Sequence, residues 1–280
     1  MSLPMSIDRQ FWFLLLGLAA LYIPSYVGLY QKVWTNTDEM HGPIVLAVAL
    51  WALWKVRIKI LELTRSAGAV GWLFLGLGLV AYFVGKTLDI MILEIGSQLL
   101  VVGACLLLIG GWQAVRLAAF PLAFLVFLVP LPGSFVDAIT GTLKQTVSGL
   151  AESFMYALGY PIARSGVVIS IGPYQLMVAD ACSGLKSMFS LSAMGLLYVY
   201  LQGHKSWLRN SILIGSLLPI AFAANVLRVI ILILVTFHFG DAAGQGFVHD
   251  ASGIVLFIAA MLLLAVIDAG IGYIFKNFKI

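Results

Sequence analysis

Long apolar runs recur along the whole chain, and short polar segments separate them. Most of these runs have about the 20 residues that a helix needs to cross the hydrocarbon core of a bilayer. We therefore predict about eight membrane-spanning helices, at residues 11–30, 43–55, 70–86, 90–111, 117–131, 183–201, 211–238 and 252–275. The second and fifth runs are short, so a count of seven spans stays open.

The first apolar run begins at Phe11 and allows two interpretations. Gly17-Leu18-Ala19 loosely resembles the cleavage site of a secretory signal peptide. The apolar residues nevertheless continue past this point through Pro24. We therefore predict that the run is retained as the first membrane span.

One connection is much longer than the others, at residues 132–181. Its residues 135–158 carry an apolar stripe at helical spacing, which is typical of an amphipathic helix; the stripe comprises Phe135, Ile139, Leu143, Val147, Leu150, Phe154 and Leu158. Two β-prone runs, 167–170 and 174–178, then flank Gly172-Pro173 and predict a short hairpin. We expect a surface helix and a β-hairpin here, outside the cytoplasm.

The Lys and Arg residues favour one orientation in the membrane. Lys55, Arg57, Lys59 and Arg65 form the densest basic cluster, and basic residues collect on the cytoplasmic side of membrane proteins. With eight spans, ten basic residues fall on the side of this cluster, five fall on the opposite side, and Arg228 lies within a span. This bias predicts that both termini are cytoplasmic.

Composition supports the class of an integral membrane protein. The chain is 62% hydrophobic and only 10% charged, whereas soluble domains are about 25% charged. The net charge of +4 is scattered around apolar runs, so we expect no nucleic-acid partner. No phosphate-binding loop, dinucleotide fingerprint or zinc pattern occurs, and we expect no cofactor and no metal. We predict an all-α polytopic fold in which residues 1–280 form a single membrane domain.

Three polar residues stand out as candidates for chemistry. Cys182 begins the sixth span and His249 precedes the eighth, so the predicted topology puts both at the outer face. Arg228 lies inside the seventh span, about 15 Å below its outer end, and its long side chain can reach upward. A charge inside a span costs at least about 2.5 kcal/mol, which points to a function for Arg228.

A thiol, an imidazole and a guanidinium at one depth suit thiolate chemistry. The N-terminus of the sixth span and the nearby Lys186 would favour the thiolate of Cys182. His249 would accept the thiol proton and later return it to a leaving amine. Arg228 would stabilise the thiolate or the oxyanion of a tetrahedral intermediate. Each residue also has a structural alternative. Cys182 could be a small apolar packing residue, His249 a polar anchor at the membrane interface, and Arg228 a paired charge in the protein core.

Other polar residues are supporting or weaker candidates. Asn225 lies one turn before Arg228 and offers hydrogen bonds. Either Asp180 or Asp250 could orient His249, and the sequence does not choose between them.

Four further residues have mainly structural interpretations. Cys105 is interpreted as a packing residue, and Asp268 as a charge that is paired or faces the cytoplasmic interface. His238 is interpreted as a helix-end residue, and His41, beside Asp38 and Glu39, as a loop residue rather than a metal ligand. We expect both cysteines to be free thiols.

Three motifs in combination resemble the exosortases, a family of bacterial polytopic membrane proteins related to archaeosortases. They are Ala181-Cys182-Ser183-Gly184-Leu185, Ala224-Asn225-Val226-Leu227-Arg228, and His249-Asp250 before the closing span. The amphipathic helix and hairpin before the cysteine also match the family. The resemblance implies that Cys182 is the nucleophile, with Arg228 and His249 as its catalytic partners, on spans within residues 182–275.

The resemblance further implies an activity and partners. Exosortases are proposed cysteine transpeptidases that cleave a C-terminal sorting tail, composed of a Pro-Glu-Pro motif, a transmembrane helix and a basic cluster. The exported protein is then passed to a surface acceptor at the outer face of the inner membrane, often alongside exopolysaccharide production. Expected partners are such exported proteins, membrane lipids and exopolysaccharide-assembly proteins. Because the chain ends soon after its last span, we expect the additional C-terminal domain of some family members to reside on a separate protein.

Two other function classes stay open from the sequence. A transporter would use Arg228 as an anion site, although the sequence shows no paired repeats or matched broken helices of the transporter kind. A non-catalytic scaffold for exopolysaccharide assembly would need none of the three polar residues. The sequence leaves open the acceptor, the cleavage motif, the exosortase subfamily and the oligomeric state.

Overall fold

The computed structural model describes residues 5–35, 42–63, 66–130, 133–177, 184–204, 206–246 and 252–278. The described chain is mostly helical and contains a small three-stranded sheet. It divides into two compact units, Met1–Pro132 and Gly133–Ile280. Each unit is described separately below.

The first unit is built from helices alone in its described part. These are α1 (Met5–Leu29), α2 (Gly42–Leu61), α3 (Gly68–Thr87), α4 (Met91–Leu117) and α5 (Ala119–Leu125). A π-helical segment, Tyr30–Trp34, extends α1, and a 3₁₀ turn, Val126–Leu128, extends α5. Gly111 interrupts α4 with φ 63° and ψ −154°, so α4 changes direction near its C-terminal end.

A glycine stripe brings α3 and α4 into close contact. Gly71, Gly78 and Gly85 recur every seven residues on one face of α3, and all three are buried. A Cβ atom at Gly71 would lie 2.7 Å from Leu108, and one at Gly78 would lie 2.7 Å from Val101. Both distances are too short for real atoms, so the glycines permit the approach of the two helices, as small residues do in membrane bundles.

The second unit combines helices with the sheet. Its elements are α6 (Gly133–Ala157), β1 (Ile162–Ser165), β2 (Val168–Ile171), β3 (Tyr174–Met177), α7 (Gly184–Gln202), α8 (Trp207–Phe239), α9 (Asp241–Gly246) and α10 (Ser252–Phe278). The strands pair antiparallel in the order β1-β2-β3. Gly172 has φ 55° in the turn between β2 and β3, a conformation that suits glycine in a tight hairpin.

The predicted hairpin is confirmed as β2 and β3, but the prediction omitted β1. The side chains of β1 are largely exposed, so that strand lacks the buried alternation by which strands are recognised. The predicted amphipathic helix is confirmed as α6, although part of its predicted stripe is wrong. Leu150 and Phe154 are about half exposed, whereas Ala151 and Met155 are buried with Val147.

Five described helices are long and apolar enough to cross a membrane. They cover Trp12–Trp34, Gly68–Thr87, Met91–Leu117, Trp207–Phe239 and Leu256–Phe275. Helix α2, which is 20 residues long, carries Lys55, Arg57 and Lys59 of the basic cluster, and two shorter apolar helices cover Ala119–Leu128 and Phe189–Gln202. Each predicted span overlaps a described helix, five of these helices are candidate spans, and the fold is that of a helical membrane protein. The count of eight spans stays a prediction.

Two apolar clusters of the second unit meet along α8. The sheet cluster packs α6 and the sheet against the C-terminal part of α8, from Val229 to Ile233. The helix cluster packs α7 and α10 against an earlier part of α8, from Leu213 to Ala224. Helix α8 is therefore the element that both clusters share.

Candidate functional site

Arg228 and Asn225 occupy the short stretch of α8 between the sheet cluster and the helix cluster. Arg228 is 9% exposed and Asn225 is 1% exposed. Both residues interact with other groups of the protein. A guanidinium this deep in a long apolar helix needs polar surroundings, because an isolated buried charge is very unfavourable. We call this stretch, which contains Asn225 and Arg228, the polar level of α8.

The N-terminal end of α7 lies near the level of Arg228. Helices α7 and α8 are antiparallel neighbours, and Gly195 of α7 packs directly on Leu217 of α8. Gly184, the first residue of α7, lies eleven residues before Gly195, and Arg228 lies eleven residues after Leu217. Because both helices rise about 1.5 Å per residue, the two positions correspond in height.

The N-terminal end of α10 lies near the same level. Asp268 of α10 and Arg209 of α8 form an ion pair of 2.6 Å, which fixes the register of these two antiparallel helices. Sixteen residues separate Asp268 from Ser252, the first residue of α10, and sixteen separate Arg209 from Asn225. The start of α10 and the polar level of α8 are therefore at similar heights.

The predicted thiol and imidazole flank these helix starts in the sequence. Cys182 lies two residues before α7 begins, and His249 lies three residues before α10 begins. Both residues, and the supporting Asp180 and Asp250, lie outside the described residues. Lys186 belongs to the first turn of α7, and its side chain likewise lies outside the described part.

A polar cluster around Asp268 joins the opposite ends of the same helices. The carboxylate accepts hydrogen bonds from Arg209 Nε at 2.8 Å and Tyr198 at 3.1 Å, and it pairs with His204 Nε2 at 3.0 Å. The side chain of Asp268 is 6% exposed and that of Arg209 is 20% exposed. The prediction that Asp268 is paired is confirmed, and the cluster explains how its charge is tolerated.

His238 lies at the C-terminal end of α8, beside the sheet rather than at the polar level. Its Nε2 lies 3.2 Å from the hydroxyl of Tyr160, and its ring packs edge-on against Tyr160 and Phe237. It follows Arg228 by ten residues, about 15 Å along the helix. This position favours the structural interpretation of His238.

A comparison with known protein families identifies the chain. Its residues 33–266 match the family model described as transmembrane exosortase. The chain belongs to the exosortase family. The match includes all of α2 to α9 and the motifs around Cys182, Arg228 and His249. No curated protein and no solved structure matches the chain.

The first unit of this exosortase contains polar side chains that the sequence analysis missed. Glu94, Ser97 and Gln98 are buried on one face of α4. Glu94 pairs with Lys86 at 2.7 Å, and Ser97 lies 2.9 Å from the Tyr22 hydroxyl. Gln98 and the Tyr26 hydroxyl of α1 also form a hydrogen bond. The signal was present in the sequence as three polar residues at helical spacing inside an apolar run.

The described residues of the exosortase chain include no cluster of potential metal ligands. Among the described residues, no three His, Cys, Asp or Glu side chains group closely enough to hold a metal ion. His41 and its acidic neighbours Asp38 and Glu39 lie outside the described residues. Cys105 is a buried free thiol among apolar side chains, as predicted.

Proposed function

We propose that this exosortase is a membrane-embedded cysteine peptidase and transpeptidase that uses Cys182, Arg228 and His249. Arg228 carries the proposal, because it is buried on α8 at the height where α7 and α10 begin. Cys182 and His249 are only two and three residues from those helix starts. This placement supports a site in which sulfur, guanidinium and imidazole converge.

The proposed reaction proceeds through a thioester. The Cys182 thiol gives its proton to His249 while the sulfur attacks the carbonyl carbon of a substrate peptide bond. Arg228 stabilises the resulting oxyanion. The carbon–nitrogen bond then breaks, and the amine of the released tail takes the proton from the imidazolium.

The second half of the reaction regenerates the enzyme. An acceptor amine or a water molecule attacks the thioester and gives a proton to His249. The carbon–sulfur bond breaks, the imidazolium returns its proton to the sulfur, and the exported protein leaves joined to the acceptor or as a free acid. Asn225, Lys186 and either Asp180 or Asp250 are proposed to orient and stabilise these groups.

We infer that the enzyme is an eight-span protein of a bacterial inner membrane with both termini in the cytoplasm. The basic residues of α2 support this orientation by the positive-inside rule. Segment 132–181, which holds α6 and the sheet, is then periplasmic. The polar level of α8 faces the same side, where exported proteins arrive.

The proposed substrates are exported proteins with a C-terminal Pro-Glu-Pro motif, a transmembrane helix and a basic tail. The basic tail would remain in the cytoplasm, and the motif would reach the outer interface near the starts of α7 and α10. Exopolysaccharide-assembly proteins are proposed as neighbours of the enzyme in the membrane. These assignments rest on the family and on the orientation.

Processing of a tail-bearing reporter tests the activity. The reporter is an exported protein with the three-part tail, co-expressed with wild-type enzyme or a variant and followed by immunoblot. We expect no processing by Cys182→Ala, and at least about a hundredfold slower processing by Arg228→Gln and His249→Ala. Cys105→Ala and His238→Ala are matched controls that should process the reporter at the wild-type rate.

The same variants separate the alternative functions. Processing at the wild-type rate by a well-expressed Cys182→Ala enzyme would overturn the proposal. Solute flux that survives Cys182→Ala and disappears in Arg228→Gln would instead indicate a transporter. Normal exopolysaccharide assembly with all three residues replaced would indicate a scaffold.

A further inference from the structure

The first unit contains an apolar cavity between α1, α2 and α4. Its volume is about 280 Å³, and its lining includes Leu14 and Leu18 of α1, Leu53 of α2, and Cys105 and Ile109 of α4. The lining comes from the N-terminal part of α1 and the C-terminal parts of α2 and α4. These three parts lie at the end of the unit that carries the basic residues of α2.

Among the described residues, one cationic side chain contributes to this lining. Arg57 borders the cavity together with Trp54. The guanidinium stacks on the Trp54 ring at 3.5 Å and donates a hydrogen bond to the Trp54 carbonyl at 2.7 Å. A guanidinium has five N–H donors, and within the described part of the chain this bond uses one of them.

The surroundings of Arg57 have the character of a lipid headgroup region. Trp51 and Trp54 are each almost half exposed on α2, and tryptophan is enriched where a membrane meets water. Lys55 lies over the Trp51 ring at 5.2 Å. A basic patch with exposed indoles beside an apolar cavity suits a ligand with an anionic head and a hydrocarbon chain.

We propose that this cavity binds one acyl chain of an anionic phospholipid, whose phosphate is held by Arg57. The lipid would belong to the leaflet that borders the C-terminal end of α2. This site lies wholly within the first unit, so it does not depend on the proposed catalytic residues.

A protein helix is a poorer occupant of the cavity than an acyl chain. A helix with its side chains is about 10–12 Å wide, whereas this cavity encloses only about 280 Å³. A substrate tail with a basic cluster would also meet like charge at Lys55 and Arg57. A thin chain with an anionic head avoids both conflicts.

Native mass spectrometry of the purified full-length protein tests the proposal. The probes are phosphatidylglycerol, which is anionic, and phosphatidylethanolamine with the same acyl chains, which is zwitterionic. We expect a retained phosphatidylglycerol adduct on the wild-type protein, and an affinity lower by about tenfold for Arg57→Gln, since a charge-assisted hydrogen bond is lost. Leu53→Trp, which fills the cavity, should prevent the adduct.

Two matched controls make the test specific. Lys59→Gln removes the same charge from α2 at a position outside the cavity lining, and Leu73→Trp adds the same indole to an exposed position of α3. Both should retain the adduct. Equal loss in Arg57→Gln and Lys59→Gln, or equal retention of the two lipids, would overturn the proposal. If Leu53→Trp fails to fold, Leu18→Trp fills the same cavity from α1.

Discussion

Two charged residues in the long helices of the second unit show that a charge in an apolar helix predicts the presence of a partner but not its identity. Asp268 and Arg228 are both buried within apolar helices. Sequence alone indicates that such charges need partners, and for Asp268 this expectation is confirmed. The partners themselves were not predictable, because Arg209 and Tyr198 are 59 and 70 residues away along the chain. Only the packing of three helices brings them together.

Removing the Asp268 carboxylate should destabilise the protein. Asp268→Asn leaves Arg209 partly buried beside a neutral amide, so we expect the free energy of unfolding to fall by about 3 kcal/mol. The measurement is an unfolding titration in mixed detergent micelles. Because Asp268 lies far from the polar level of α8, a small effect on the rate of reporter processing is expected in the folded fraction.

An exposed ion pair provides the control for this variant. Lys32 donates to both carboxylate oxygens of Asp89 at 2.7 and 2.9 Å, and these bonds lower the pKa of Asp89. The pair is therefore intact at neutral pH, and its contribution disappears only as the pH falls through that lowered pKa. Since both side chains are largely exposed, Asp89→Asn should leave the unfolding titration at pH 7 unchanged. An equal loss of stability in the two variants would contradict the structural role given to the Asp268 cluster.

At the scale of elements, the apolar pattern predicted where helices lie better than which faces they bury. All eight predicted spans overlap described helices, although the second helix extends to Leu61 and the fifth α-helix covers only Ala119–Leu125. The stripe of α6 was partly misassigned because the buried face includes Ala151 and Ser148, which a search for large apolar residues passes over. The glycine stripe of α3 is a similar case. Glycine has no side chain, so a helix contact made at glycines is not visible in the pattern of hydrophobic residues.

The contact between α7 and α8 offers a test of element packing. A Cβ atom at Gly195 would overlap the side chain of Leu217, which is buried. We expect Gly195→Val to lower the free energy of unfolding by about 1–3 kcal/mol through overpacking. Reporter processing should also slow, because α7 leads directly from Cys182. Unfolding titration and the reporter assay measure the two effects.

Matched variants on the same pair of helices check the cause. Gly215 of α8 has open space around it, so Gly215→Val should leave stability and processing close to wild type. Adding Leu217→Ala to Gly195→Val makes room for the new side chain and should restore part of the lost stability. Failure of this second substitution to compensate would argue against direct Gly195–Leu217 packing.

At the scale of the whole molecule, the number of membrane spans determines on which side of the membrane the sheet lies. With the basic cluster in the cytoplasm, loss of the short predicted span 117–131 would move segment 132–181 to the cytoplasmic side. We expect Ser165→Cys, made in a chain with Cys105→Ala and Cys182→Ala, to react with a membrane-impermeant maleimide added to intact spheroplasts. Glu62→Cys in the same background should react only after lysis. The reverse pattern would contradict the proposed topology.

The sequence could indicate the residues of the candidate site, but their convergence depends on helix register. Motif spacing singled out Cys182, Arg228 and His249, and the predicted topology placed two of them at one face. The register came from contacts that no local pattern encodes, between Gly195 and Leu217 and between Arg209 and Asp268. These contacts indicate that the starts of α7 and α10 lie at about the same height as the polar level of α8.

Disulfide cross-linking tests this convergence most directly. In a chain with Cys105→Ala and His249→Cys, mild oxidation should join residue 249 to Cys182, because a disulfide requires Cβ atoms about 3.5–4.5 Å apart. Mass spectrometry of the protease-digested protein measures the linked peptide. The matched chain with His238→Cys should remain unlinked. A linked peptide specific to residue 249 is the predicted result, and its absence, or equal linking from residue 238, would contradict the account.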